Sequence, residues 1–250
     1  EYGPTCFFPQ IQNMPPYHNN GIWPFVVAYW GWAAAKVQNE KAVEHTLASI
    51  YRASALFLTN KENMVAENGD YMGTEINSDR QLWSVAGNLA TVYRIFFGME
   101  FDIKGLSFKP FVPKAYDGVK LLENFKYRDA ILNIDLTGFG DTIKQVTLDG
   151  KKVENTFIPA DLTGTHTIEI QLTNEFKNNS EINRVKNHFA PKAPLIRRDH
   201  NNLNWKKESN IKSYHIYKNG MLYKETTDTT FQIPESEEFA EYQLQSVDHL

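Results

Sequence analysis

The chain is predicted to be α first and β second, in several domains: part of a double-layered helical barrel, then two β modules. Three observations carry this. Apolar residues recur at helical spacing up to about residue 98 and alternate with a period of two after about residue 101. In the helical part, a segment apolar nearly all round alternates with an amphipathic one, and a long polar loop leads to a third. In the β part, Asp149-Gly150 and Asn219-Gly220 stand between alternating runs as hairpin turns. The expected domains are residues 1–100 (helical), 101–173 (β-sandwich), 174–190 (linker) and 191–250 (second β module).

Residues 1–18 form an irregular leader rich in proline (Pro4, Pro9, Pro15, Pro16). Residues 20–37 are expected to be a helix buried on every side, with Pro24 tolerated in its first turn. Residues 40–59 are amphipathic: Val43, Leu47, Ile50, Phe57 and Leu58 mark one face and Lys41, Glu44, His45 and Arg52 the other, with Asn39 as N-cap. Ser78-Asp79-Arg80-Gln81 fits a capping box. It would open a third helix through Leu82, Val85, Leu89, Val92 and Phe96, ending near Gly98. Inner helices of a double-layered barrel see protein on both sides and outer ones see water on one, which is the pattern read here. Three helices cannot close such a barrel, and both chain ends read as cuts through a longer polypeptide.

Strands are expected at 105–108, 120–122, 130–136, 145–148, 151–153 and 165–172, forming an antiparallel sandwich. A second set is expected at 202–205, 213–217, 221–223, 230–233 and 241–245. Asn178-Asn179-Ser180 matches a glycosylation sequon, a short pattern that arises often by chance.

Composition narrows the function. A formal net charge of -4 argues against nucleic-acid or anionic-membrane partners. The richest apolar run, Ile22 to Val37, is too short to span a bilayer. The single cysteine, Cys6, excludes an internal disulfide but does not fix the compartment.

The chemistry concentrates in residues 63–84, a carboxylate- and amide-rich loop too long to be a simple connection. Glycoside hydrolysis needs two carboxyl groups flanking the glycosidic bond. Glu67 follows the apolar Met64-Val65-Ala66 and precedes small Gly69, so it suits the general base. Glu75 is the rival base or a ligand of sugar hydroxyls. Acids in Gly/Asn-rich loops usually face solvent; the aromatic and amide neighbours shift the balance here. Asp70 and Asp79 read as turn and helix-start residues. Upstream, Pro15 to Pro24 gathers Tyr17, His18, Asn19 and Trp23, types that stack on sugar faces and bond hydroxyls. The competing reading makes Trp23 core and His18 a cap. His18 has no second histidine three or four residues away, so no metal site is expected. Gln81 and Trp83 close the loop, and one of the two should face the pocket. Phe25, Tyr29, Trp30 and Trp32 are read as core.

PYHNNGIWPF, followed about fifty residues later by AENGDYMGTE and QLWSVAG, resembles the C-terminal third of six-hairpin, (α/α)6-barrel glycosidases. The similar groups are processing-glucosidase-like enzymes, the amylo-α-1,6-glucosidase domain of debranching enzymes, and trehalases. The resemblance covers about residues 10–98. It implies the C-terminal part of an (α/α)6 barrel followed by a β-sandwich accessory domain. The last module, with Trp205, a tyrosine-rich strand and Tyr242 as its corner tyrosine, resembles a fibronectin type III domain with its final strand missing.

Carried over by position, Glu67 matches the base of these inverting enzymes. Glu75 matches a substrate-contacting loop acid, and Tyr17, His18, Asn19 and Trp23 match the subsite motif. Gly69 departs from the pattern, in which a tyrosine often follows the Glu-Asn pair. The general acid, usually an aspartate, lies upstream in such enzymes and outside this chain, so the fragment alone should not hydrolyse anything. The implied activity is exo-acting, inverting hydrolysis of an α-glucoside-type substrate, without metal or organic cofactor, in a periplasmic or extracellular bacterial setting. Two alternatives stay open: a phosphorylase on the same barrel, and a non-catalytic carbohydrate-binding or adhesion fragment.

Overall fold

The computed structural model describes residues 2–6, 8–178, 181–235 and 239–249, arranged as two compact units. The first comprises residues 1–6 and 15–185; the second comprises 7–14 and 186–250. Two residues of the sequon, Asn179 and Ser180, lie outside the described residues.

The first unit opens with a short strand β1 (Gly21–Ile22), helix α1 (Pro24–Lys36) and helix α2 (Glu40–Phe57). Pro24 occupies the first turn of α1, where its missing N–H costs nothing. Asn39 caps α2, its Oδ1 accepting from Ala42 N at 3.0 Å. Strand β2 (Met64–Val65) pairs antiparallel with β1, and helix α3 (Leu82–Ala90) runs on into a π-helical turn, Thr91–Phe96. The expected capping box does not form. Gln81 is the N-cap of α3 and makes no side-chain cap bond, while the Ser78 amide is held by Glu62 instead. A carboxylate from across the loop outcompetes the local partner.

The expected barrel is overturned. Among the described residues there are three α-helices against sixteen strands, so the chain is mostly β in several small sheets, and its helices are not a portion of an (α/α) barrel. The physical reason lies in α1. Its sequence is apolar nearly all round, yet the helix is not enclosed: Tyr29 is 65% exposed, and Trp30 and Trp32 are half-buried. Apolarity on every face predicted a second layer of helices, whereas the face it does bury meets α2, α3 and β structure.

The β part of this unit consists of β3 (Met99–Phe101), β4 (Gly105–Phe108), β5 (Val119–Tyr127), β6 (Ala130–Thr137), β7 (Ile143–Leu148), β8 (Lys151–Lys152), β9 (Ile158–Pro159) and β10 (Gly164–Leu172). They form a five-stranded sheet, β5-β6-β10-β7-β8, and a three-stranded sheet, β3-β4-β9, an arrangement compatible with a β-sandwich. It is not wholly antiparallel: β6 and β10 run parallel, Ile134 beside Ile168. Alternation along β6 buries Ala130, Leu132, Ile134 and Leu136, and along β10 Ile168, Ile170 and Leu172. These side chains share one core with Leu47 of α2, Ile95 and Phe96 of the π turn, and Leu106 and Phe108 of β4. Helices and sheets here are stabilised together.

Asp149-Gly150 turns β7 into β8, both residues in the left-handed region as a tight two-residue loop requires. Asp149 also receives the Thr167 amide at 2.9 Å and pairs with His166 Nδ1 at 2.7 Å. The hydrogen bond to His166 holds the Asp149 carboxyl below its usual range, and the bond to Asp149 raises His166. The sign follows for each partner. The aspartate contribution is lost as pH falls through its lowered folded value, and the histidine contribution is lost as pH rises through its raised one. Stability should therefore be greatest between about pH 4 and 6.5 and fall as the histidine deprotonates. Being at the surface, the effect should stay below about 1 kcal/mol. Urea melts between pH 5 and 9 should show this decline in the native chain; an unchanged decline in His166→Gln would assign it elsewhere.

The second unit has β11 (Arg197–Asp199), β12 (Asn202–Asn204), β13 (Ser213–Lys218), β14 (Met221–Thr226), β15 (Thr230–Gln232) and β16 (Tyr242–Val247). They form two three-stranded antiparallel sheets, β11-β12-β15 and β14-β13-β16. Asn219-Gly220 makes the β13–β14 hairpin with both residues at positive φ. Trp205, Tyr214, Ile216 and Phe231 are its core, and Tyr242 packs on Phe231 and edge-on to Tyr223. Residues 8–14 join this unit through Gln10, whose amide donates to His188 O at 2.8 Å. No helix of the described residues is long and apolar enough to cross a membrane.

Candidate functional site

The 16–23 segment and the 60–83 loop are stitched together at the N-terminal end of α1. The short β1–β2 ladder is the base of this seam. Ala66 N donates to Asn20 O at 3.0 Å, and Glu75 N donates to Pro16 O at 2.9 Å. At the far end of the loop Gln81 N donates to Asn60 O at 2.9 Å. The two sequence motifs thus meet in space although about fifty residues separate them.

One side of the seam is a run of rings. His18 stacks on Trp23 at 4.8 Å with planes 11° apart, and Tyr17 meets Trp23 edge-on at 5.0 Å. Trp83 meets Trp23 edge-on at 5.7 Å and stacks on Phe25 at 4.7 Å. Trp23 is the hub: it is 2% exposed and its Nε1 donates to Tyr17 O at 2.9 Å, closing the turn before α1. Its ring supports the others, and His18 and Trp83 are the members left exposed. Asn19 is also buried, within the turn.

The acids divide by exposure. Glu67 and Glu75 are both exposed on the loop surface. Glu67 directly follows β2 and the anchored Ala66, which fixes where its backbone lies. Gly69 serves the backbone: at φ +68° its amide closes the turn onto Val65 O at 2.8 Å. A Cβ there would lie 2.6 Å from the Tyr2 ring, so the position holds close packing beneath the loop rather than open space above it. Asp70 behaves as a turn residue, accepting from Met72 N at 3.1 Å, and Asp79 pairs with Lys61.

The sequence reading missed Glu62. Its side chain is buried, with Oε1 accepting from Tyr17 OH at 2.9 Å and Oε2 from Ser78 N at 3.0 Å. Its own amide donates to Ser78 O at 3.0 Å. One carboxylate therefore ties the aromatic turn to the acidic loop. That hydrogen bond also raises the Tyr17 phenol above its usual range, with the charges of Glu62 and Glu75 adding to it. Tyr17 stays a neutral donor through physiological pH. The one signal in the sequence is an acid directly before the buried Asn63-Met64-Val65, a weak hint because its partner lies 45 positions away.

Hydrogen bonds to a charged, buried acceptor are each worth about 1.5–3 kcal/mol. Glu62→Ala should therefore free both Tyr17 and the Ser78 amide and lower stability by about 3 kcal/mol, whereas Glu62→Gln should recover part of the loss. Chemical denaturation checks this; equal stability of Glu62→Ala and the native chain would remove the tie from the account.

Among the described residues, no three His, Cys, Asp or Glu side chains converge as metal ligands would. Cys6 is half-buried, and that burial pushes its thiol up to about 11, so little thiolate is present at neutral pH. In comparisons with known proteins, no family model matches the chain and no curated protein is similar to it.

Proposed function

We propose that the seam between residues 16–23 and 60–83 is the sugar-binding part of a glycoside hydrolase active site, with Glu67 as general base. The supporting observation is the placement of two exposed carboxylates beside a fixed aromatic platform. Exposed His18 and Trp83 offer faces for a pyranose ring, and Tyr17 OH and the loop amides offer hydroxyl partners. Glu67 deprotonates a water at the anomeric carbon while a carboxylic acid supplied from outside these residues protonates the leaving oxygen. Such a single displacement inverts the anomeric configuration. Glu75 accepts from a sugar hydroxyl. Buried Asn19 and Trp23 act through the turn they hold, and Gln81 through the amide that fastens the loop to Asn60.

A second reading, carbohydrate binding without catalysis, is favoured by one observation: Glu67 and Glu75 are both exposed, and an exposed acid lacks the burial that tunes catalytic carboxyls. The two separate in one experiment on a polypeptide that carries both this chain and the acid partner. Incubated with α-glucosides, with and without inorganic phosphate, it should release sugar of inverted configuration in both conditions. Strict phosphate dependence would make it a phosphorylase, and binding without turnover would leave only the binding reading.

A further inference from the structure

A second cleft, of about 570 Å³, lies in the first unit between the C-terminal end of α1, the π-helical turn and the strands that follow. Two of its lining residues, Trp32 and Arg94, also line a neighbouring cleft with Phe25 and Trp83. Four of its lining residues are cationic, Lys36, Arg94, Lys109 and Lys177, against two acids, Glu100 and Asp141. Lys109 and Glu100 satisfy each other at 2.7 Å. Three cations then face one acid in a protein whose net charge is negative.

Two features give this cleft the form of a built site. Arg94 is fixed: its Nη1 donates to Met99 O at 2.8 Å, and its guanidinium lies 5.2 Å from the Trp32 ring and 5.0 Å from Phe101. Only one of its five donors is thereby used among the described residues. Trp32 is half-buried and presents an aromatic surface, with Lys36 Nζ 4.9 Å from its ring centroid.

We propose that this cleft binds an anionic saccharide. The acidic group would meet Arg94, Lys36 and Lys177 in charge-assisted bonds, and the sugar face would lie on Trp32. A bare anion would leave Trp32 unused, and a neutral sugar would leave the cations unused. The site is independent of the hydrolase reading of the aromatic seam, because it shares no residue with it.

The test titrates the full chain, by protein-observed NMR, with glucuronate, glucose 6-sulfate, glucose and inorganic sulfate. Glucuronate or the sulfated sugar should bind at least about tenfold more tightly than glucose and than inorganic sulfate. The tighter of the two identifies a carboxylate or a sulfate ester as the charge recognised. Lys36 and Lys177 are exposed, so the double variant Lys36→Ala/Lys177→Ala should fold normally and lose about tenfold in affinity for the anionic sugar. Equal binding of glucose, equal binding of inorganic sulfate, an unaffected double variant, or no binding of either anionic sugar would each overturn the proposal.

Discussion

Replacing Glu67 with Gln is expected to lower glycoside turnover by about 10²–10⁴-fold, the range over which a positioned general base contributes. Glutamine keeps the size and polarity of the side chain but cannot take a proton from water. The loss should therefore appear in kcat, with KM changed by less than about threefold, because the proposed sugar contacts on the aromatic platform do not involve that proton. Glu75→Gln should show the opposite split, raising KM with a modest change in kcat. The measurement is steady-state kinetics on the catalytically complete polypeptide, with rescue by a small external nucleophile such as azide as a second readout. A Glu67→Gln enzyme at native rates would remove Glu67 from the base role, and a kcat loss confined to Glu75→Gln would transfer that role to Glu75. Since Ala66 is fixed to Asn20 and the Glu67 side chain is exposed, neither substitution should alter folding.

Gly21→Ala should be among the most damaging single methyls in the first unit. A Cβ at this position would stand 1.7 Å from Tyr17 O and 2.9 Å from Tyr17 C, both backbone atoms. The same carbonyl accepts Trp23 Nε1, and Gly21 itself pairs with Val65 in the β1–β2 ladder. The turn has to open, and the packing around buried Ile22 and Trp23 with it. Overpacking of this kind costs about 3 kcal/mol, which for a domain of this size lowers Tm by roughly 5–10 °C. Differential scanning calorimetry reads the shift, and near-ultraviolet dichroism reads the tryptophan cluster. A variant within 1–2 °C of the native chain would show that the turn relaxes without disturbing the aromatic platform, contrary to the geometry.

Much of the local structure could be read from residue order. Alternation located β6 and β10, Asn219-Gly220 and Asp149-Gly150 located their hairpins, and Asn39 located the start of α2. These are signals within a few residues of one another, where propensity and turn chemistry act directly. The barrel was misread because an apolar helix surface reports that burial is available, not what does the burying. The parallel pairing of β6 with β10 escaped for a related reason, since alternation is the same in either direction. In the candidate site, Tyr17, His18, Trp23, Glu67, Glu75 and Trp83 could be singled out by residue type. Glu62 could not, because its meaning depends on a tyrosine 45 positions away.

The sequence by itself determined the longer helices and strands, the two clusters of polar and aromatic residues, and the change from helical to alternating period. Only the tertiary structure decided that those clusters meet at one end of α1, with Glu62 buried between them and Trp23 as support rather than surface. It also decided that basic residues from three distant stretches line one cleft. The physical reason is common to both. Local patterns specify which faces seek burial, but a charge or hydrogen bond across long sequence separations exists only once the chain has closed on itself.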